Sequence, residues 1–173
     1  MIKTMINKGF TLLELMITIA ILSILIAVAT PSFTSMVVSN SVNSDQDRLF
    51  TLLISARSEA IKRGGVVSVC KSSDLDACSD SVGTAWGDGL IVFFDVDGDG
   101  DVDTADGDKI LKVNEALDNN ISLVFSAGDY LAFNSLGRVE VNNGTFTFSH
   151  SSGDITYNRT ITISLTGRVR QSD

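Results

Sequence analysis

The chain has one histidine, one proline, one tryptophan and only two cysteines in 173 residues. His150 has no second imidazole with which to share a metal, and it stands in a run of Ser and Gly that reads as a turn. No phosphate-binding Gly-rich loop follows a strand-like run, and no His-containing metal motif is present. Serines are plentiful, but none has a base in view to activate it, so nucleophilic catalysis has no visible source. The sequence carries no case for an enzyme. Basic residues are missing altogether between Asp74 and Asp108, where eleven acids fall. With a net charge of −8, the chain is excluded from coating nucleic acid or anionic lipid over its whole surface. Internal repeats and long low-complexity linkers are also absent. The length allows one domain beyond any membrane helix.

Long hydrophobic runs are scarce as well; the one that exists stands at the start. Residues Phe10–Thr30 form a span of twenty-one, interrupted by one charge at Glu14. That is long enough to cross a bilayer as a helix. Lys3 and Lys8 precede it, and no base follows until Arg48. This asymmetry places the leader in the cytoplasm and the remainder outside. A secretory signal would have a shorter apolar core ending in small residues. Here the span runs on through Pro31 into a helical pattern, which predicts that it stays with the mature protein. A carboxylate at membrane depth is costly and marks function or a partner, against the alternative of a side chain snorkelling to the cytoplasmic face.

Gly9-Phe10-Thr11-Leu12-Leu13-Glu14-Leu15-Met16 resembles the class III signal of type IV prepilins and type II secretion pseudopilins. That resemblance implies removal of residues 1–9 by a prepilin peptidase after Gly9, and N-methylation of Phe10. It also implies assembly with other pilins or pseudopilins through the helix, with Glu14 facing the N-terminus of a neighbouring subunit.

Beyond Pro31, Leu49, Leu52, Leu53, Ala56 and Ala60 recur at the spacing of an amphipathic helix. Lys62 and Arg63 favour the helix dipole at its end, and Gly64-Gly65 stops it. After Gly65 the pattern turns to short alternating runs. Val66–Cys70, Leu90–Phe94, Lys109–Val113, Ile121–Phe125, Tyr130–Phe133, Arg138–Val141, Thr145–Ser149 and Thr160–Leu165 read as strands. Asn142-Asn143-Gly144 reads as a hairpin turn. The expected fold is α+β, a long N-terminal helix packed on an antiparallel β-sheet head. The division is a leader over 1–9, a transmembrane and assembly helix over 10–30, its amphipathic half over 31–64, and a periplasmic head over 65–173. Cys70 and Cys78, even in number and on the oxidising side, suggest a disulfide; a zinc site is the rival, poorly served by two cysteines without histidine.

With Trp86-Gly87-Asp88-Gly89, the Asp-rich turn and Thr166-Gly167-Arg168-Val169-Arg170 added, nearly the whole chain resembles the GspH/FimT family of minor pilins. The implied place is the bacterial inner membrane, single-pass, then a type IV pilus or a type II secretion pseudopilus. The alternative within the resemblance is a type II secretion pseudopilin H with no DNA role. No cofactor is required by either reading.

Two further segments carry candidate chemistry. Asp95, Asp97, Asp99 and Asp103 fall at loop positions one, three, five and nine of an EF-hand-type calcium loop. Gly100 falls at position six, the Asp101 carbonyl at seven, and Asp106 closes the loop in place of Glu. The flanks look like strands, so calcium and a solvated acidic turn both fit. Arg168 and Arg170 alternate along an extended segment, which puts both guanidiniums on one side. In FimT-like chains such a Gly-Arg-x-Arg tail resembles an element proposed to hold DNA. A strand end with two solvated arginines is the other reading, and Arg138 and Arg159 are candidate contributors.

Overall fold

The structure is a computed structural model describing residues 10–79 and 84–172, apart from the side chains of 28–32. The chain divides into two compact units, Met1–Val37 and Val38–Asp173, each described by itself. Among the described residues there is one α-helix, α1, over Leu12–Arg63, and one short 3-10 turn at Ile155–Tyr157.

In the first unit, every described side chain from Leu12 to Ala27 is exposed, although most are apolar. A helix that is hydrophobic all round is one that lipid or other protein covers. Among the described residues no helix is long and apolar enough to cross a membrane. The expected span over 10–30 ends in side chains that lie outside the description, as do the leader residues 1–9.

The second unit opens with the C-terminal half of α1, whose expected stripe of Leu49, Leu52, Leu53, Ala56 and Ala60 is buried along with Val42. Nine strands follow among the described residues: β1 Val66–Lys71, β2 Leu90–Asp95, β3 Lys109–Asn114, β4 Ile121–Phe125, β5 Tyr130–Phe133, β6 Val139–Val141, β7 Thr145–His150, β8 Arg159–Ile163 and β9 Val169–Ser172. They form two antiparallel sheets, of order β3-β2-β1-β5-β6 and β4-β7-β8-β9. Side chains alternate across a strand. Val67 and Val69 therefore join Leu90, Val92, Leu131 and Phe133 on the face that shares a core with the helix stripe. The second sheet adds Leu123, Phe125, Phe146, Phe148, Ile161 and Ile163 to the same core. Trp86 seals one side, edge-on to Phe125 and Phe146 at centroid distances of 5.3 and 5.0 Å, with its Nε1–H donating to the Gly128 carbonyl at 3.2 Å.

The opposite face of the first sheet carries a smaller core of Cys70, Ile91 and Phe93, covered by Cys78, Val102, Ile110 and Tyr130. Cys70 and Cys78 form the expected disulfide, which pins the 72–77 loop over that face.

All eight expected strands are present, and two readings change. Asn142-Asn143-Gly144 is no hairpin, because β6 pairs with β5 while β7 pairs with β4 and β8. It is the crossing from one sheet to the other; Asn142 turns left-handed at φ 59° and its Nδ2–H₂ ties back to the Tyr130 carbonyl at 3.0 Å. The closing Val169-Arg170 segment is a ninth strand, paired along β8 from Ile163↔Val169 to Thr160↔Ser172. Polar side chains of α1 hold this last hairpin. Gln46 Nε2 donates to the Thr160 and Ser172 carbonyls at 3.0 and 3.2 Å, and Gln171 Nε2 donates to Asp47 Oδ1 at 2.8 Å.

At Gly167 the turn before β9 comes close against the turn before β6. The φ of Gly167 is 75°, and an added Cβ would run into the Gly137 carbonyl. Gly153 has φ 73° and open space around it. Left-handed strain costs of order 1–3 kcal/mol. Gly153→Ala is expected to lower stability by about 1 kcal/mol, and Gly167→Ala by clearly more. Denaturant unfolding of the two variants checks this; equal losses would show that the close approach carries no energy.

Candidate functional site

At the N-terminus, Thr11 and Glu14 close a capping box. Thr11 Oγ1 accepts the Glu14 N–H at 3.2 Å, while Glu14 Oε2 accepts the Thr11 N–H and hydroxyl at 3.0 Å each. Orphan donors at a helix start are satisfied reciprocally in this way. Sequence reading singled out Glu14 and missed Thr11, although Thr-x-x-Glu before an apolar run is the signal for the box. Phe10 lies just before the helix with an exposed ring, and Gly9 falls outside the described residues.

The Asp-rich loop joins β2 to β3. Asp95, 1 % exposed, is its anchor. Its carboxylate accepts the Ser68 hydroxyl at 2.6 Å and the N–H groups of Gly98 and Gly100 at 2.6 and 3.1 Å. Asp108, which sequence reading passed over, is the second anchor, accepting from Val96 N–H at 2.9 Å and Asp103 N–H at 3.0 Å. Asp97, Asp99 and Asp103 each hold the N–H two residues on. The alternate spacing of carboxylates thus serves a chain of Asx turns.

Oxygens of Asp95, Asp97 and Asp99 lie within 4.8 Å of one another, near enough to ligate one cation. Asp101 could add its carbonyl. Asp103 and Asp106 do not join this group, so the six-residue set divides into a clustered half and a peripheral half. Burial pushes the Asp95 carboxyl above its usual value, against the opposing effect of the Ser68, Gly98 and Gly100 hydrogen bonds. An ionised buried carboxylate costs stability unless paired, which a hard divalent cation would supply.

The arginines lie at the far edge of the second sheet. Arg170 is opposite Thr162 on β8, and Arg168 ends the turn that begins at Ser164. Both are exposed and line one groove with Thr162, Ser164 and Thr166. Neither guanidinium has an ion pair among the described residues. Arg138 is likewise exposed. Arg159 is not available to this patch, because its Nε donates to Asn43 Oδ1 at 2.7 Å and its Nη1 to the Thr156 and Asn158 carbonyls. His150 does hold a turn, through Ser152, with Nδ1 to Oγ at 3.0 Å.

The family model described as type II transport protein GspH matches residues 45–167, and that of the prokaryotic N-terminal methylation motif matches residues 4–30. No curated protein matches the chain. Among solved structures, the type IV minor pilin FimU of Pseudomonas aeruginosa aligns with TM-score 0.61 at 22 % identity, over 78 % of this chain and 90 % of that one. The minor pseudopilin EpsH of the Vibrio cholerae type 2 secretion system aligns with TM-score 0.53 at 17 % identity, over 76 % and 96 %. At these identities the likeness is one of fold. A long helix on an antiparallel β head is common to all three.

The loop geometry yields a test with a pH signature. A raised carboxyl pKa contributes stability that is full below the unfolded value and lost as pH rises through the folded value. Asp95 is therefore a net cost at neutral pH, and calcium is expected to offset it. Millimolar calcium should raise the melting temperature at pH 7, and the gain should shrink as pH falls through the raised Asp95 value. Asp97→Asn with Asp99→Asn should remove the gain and keep the fold. No shift at pH 7 would leave the loop as an acidic turn held by its own hydrogen bonds.

Proposed function

Because this chain belongs to the family of type II transport protein GspH, we propose that it is a filament subunit anchored in the bacterial inner membrane, where its head faces the periplasm. A prepilin peptidase removes the leader after Gly9 and Phe10 is methylated. The N-terminal half of α1 then exchanges lipid for the helices of other pilins or pseudopilins, near the start or the tip of the filament. The observation that carries this reading is the N-terminal methylation motif over residues 4–30, continuous with an apolar helix exposed all round. Such a surface needs a partner in either setting, and the head is already fully built without it.

Glu14 fits assembly chemically. Its Oε2 is engaged by Thr11, and its fully exposed side chain leaves the second oxygen to accept from an amino group of a neighbour. In hydrocarbon that pairing is worth more than in water, since the alternative is an uncompensated charge.

DNA capture by the arginine edge is the second reading, favoured by one observation. Arg168 and Arg170 line one groove in a strongly acidic chain, with no ion pair to either guanidinium among the described residues. Phosphate contacts would bind without regard to sequence. With no DNA role, the same architecture serves a secretion pseudopilus.

Glu14→Ala is expected to insert in the membrane and to be lost from filaments, read by its absence from sheared filament fractions. Normal incorporation would remove Glu14 from the assembly account. Thr11→Ala, which removes both hydroxyl bonds of the box and keeps only the backbone N–H bond to Glu14, loosens the orientation of the carboxylate and should give a smaller loss than Glu14→Ala. For DNA, Arg168→Ala with Arg170→Ala should weaken binding and flatten its salt dependence by about 2 in log–log slope, from about 0.9 per phosphate contact. Unchanged gel shifts would make the tail an ordinary strand end and leave the filament reading alone.

A further inference from the structure

The outermost strands of a sheet leave unpaired backbone N–H and C=O groups along their free sides, and proteins cover or charge those edges. Two sheets give this head four outermost strands, β3, β6, β4 and β9. Three of them are met by other parts of the chain. Along β4 the segment at Gly87 lies so close that an added Cβ would stand 3.7 Å from the Ile121 carbonyl oxygen and 3.8 Å from the Leu123 nitrogen. On β6 the Val139 N–H donates to the Leu165 carbonyl at 3.2 Å. The end of β9 is held by Gln46, whose Nε2 donates to the Ser172 carbonyl at 3.2 Å. Strand β3 is the exception. Among the described residues, the backbone of 109–113 makes no hydrogen bond beyond those to β2.

Beside this open edge runs a groove. Ser44, Arg48, Thr51 and Leu52 of α1 form one wall, and Lys112 and Asn114 of β3 form the other. Arg48 is fixed in place there. Its Nη1 donates to the buried Asp45 at 3.3 Å and its Nη2 to Asn114 Oδ1 at 3.2 Å, yet the side chain stays 47 % exposed. A guanidinium carries five N–H donors, so others remain to serve a guest. Lys112 is exposed and has no ion pair among the described residues, and the same holds for Lys109. The acid that lines the groove, Asp47, already accepts from Gln171 at 2.8 Å.

The register of β3 says what a guest must look like. Lys112 stands opposite Val92, which belongs to the core under the helix, and Val113 stands opposite Ile91, which belongs to the smaller core. Lys112 therefore faces the groove, whereas Val113, 48 % exposed, lies on the other side of the sheet. Side chains of a strand added to β3 would alternate in the same way. One set enters the groove against Arg48 and Lys112, and the set between lies beside Val113.

We propose that β3 and this groove receive an extended segment of a different filament subunit, one that carries carboxylates at alternate positions with apolar residues between them. Pairing with the β3 backbone supplies affinity, and the alternate side chains select the partner. Opposite charges across such a seam stabilise it and like charges destabilise it. A second copy of this chain is the wrong occupant, because edge-to-edge pairing of β3 would gather Lys109 and Lys112 of both copies on one seam. The contact joins unlike subunits, in keeping with a place near the start or the tip of a filament. Its setting rests on the filament reading, but its residues are separate from Glu14 and from the arginine edge.

The test uses the full chain in membranes of the bacterium, with its companion pilins present and a photoreactive residue at the exposed groove position 51 (Thr51→p-benzoylphenylalanine). Irradiation should join the chain to another pilin or pseudopilin, at a peptide whose acids alternate with apolar residues. Lys112→Glu, which breaks no bond within the head, should abolish the adduct, and an acid-to-Lys change within the joined peptide should restore it. Amide exchange of residues 109–113 should be slower in the joined form than in the free chain, as backbone pairing demands. No adduct, an adduct between two copies, an adduct to a protein outside the filament, survival through Lys112→Glu, or unslowed exchange would each overturn the proposal. An intact adduct in cells whose sheared filaments lack this chain would uphold the contact and strike the filament reading instead.

Discussion

One stripe of α1 has to serve two sheets, and the head depends on that constraint. Val42, Leu49, Leu53, Ala56 and Ala60 are all fully or almost fully buried, although a strip of helix alone could cover little on its own. Each fully buried Leu contributes on the order of 1.5–3 kcal/mol, and removing one to Ala costs about 2–5 kcal/mol. The alanines bring little area. Their role is to let strands approach the helix axis, and they sit where β1 starts back from Gly64-Gly65. Because both sheets share this stripe, their ends are forced together, and the Gly137–Gly167 contact is the result.

The same constraint leaves the first sheet with a second face to cover. No helix is available for it, so loops do the work: the disulfide loop and the Asp-rich loop close over Ile91 and Phe93. This explains why the most acidic segment of the chain is also well ordered by its own hydrogen bonds. Asp95 and Asp108 are buried among them, each accepting backbone N–H groups that would otherwise lack partners. The clustered aspartates therefore sit on a loop held by the sheet, and the arginines on the turn and edge strand that close the second sheet.

Much of this was legible from periodicity. The helix stripe at i, i+3, i+4, i+7 and the two-residue alternation of Thr145–Phe148 and Thr160–Ile163 name the buried face directly. The Cys pair was legible from count and compartment. Sheet partition was not, because Asn142-Asn143-Gly144 has hairpin chemistry and only long-range pairing reveals that its two strands part. Strand β9 hid because Val169-Arg170-Gln171-Ser172 has one apolar residue, and its pairing is secured by Gln46 from far along the chain. Likewise Arg159 looked like any surface cation, and its commitment to Asn43 lies 116 positions away. Local signals carried the N-terminal motif and the Asp spacing; the grouping of Asp95, Asp97 and Asp99 without Asp103 and Asp106 needed the folded loop.

The N-terminal helix and the head meet different demands. The head buries its apolar surface within one chain, whereas Leu12–Ala27 exposes nearly all of its own, a surface that calls for lipid or other helices to cover it. On the proposed filament reading, a subunit that moves from one to the other first loses its charged leader, since Lys3 and Lys8 would otherwise be dragged into hydrocarbon. Mass spectrometry of the N-terminal peptide, from chain extracted out of membranes containing a prepilin peptidase, tests this most directly. The account expects a chain beginning at N-methylated Phe10; an intact Met1 terminus in the membrane-extracted or filament-bound protein would contradict it.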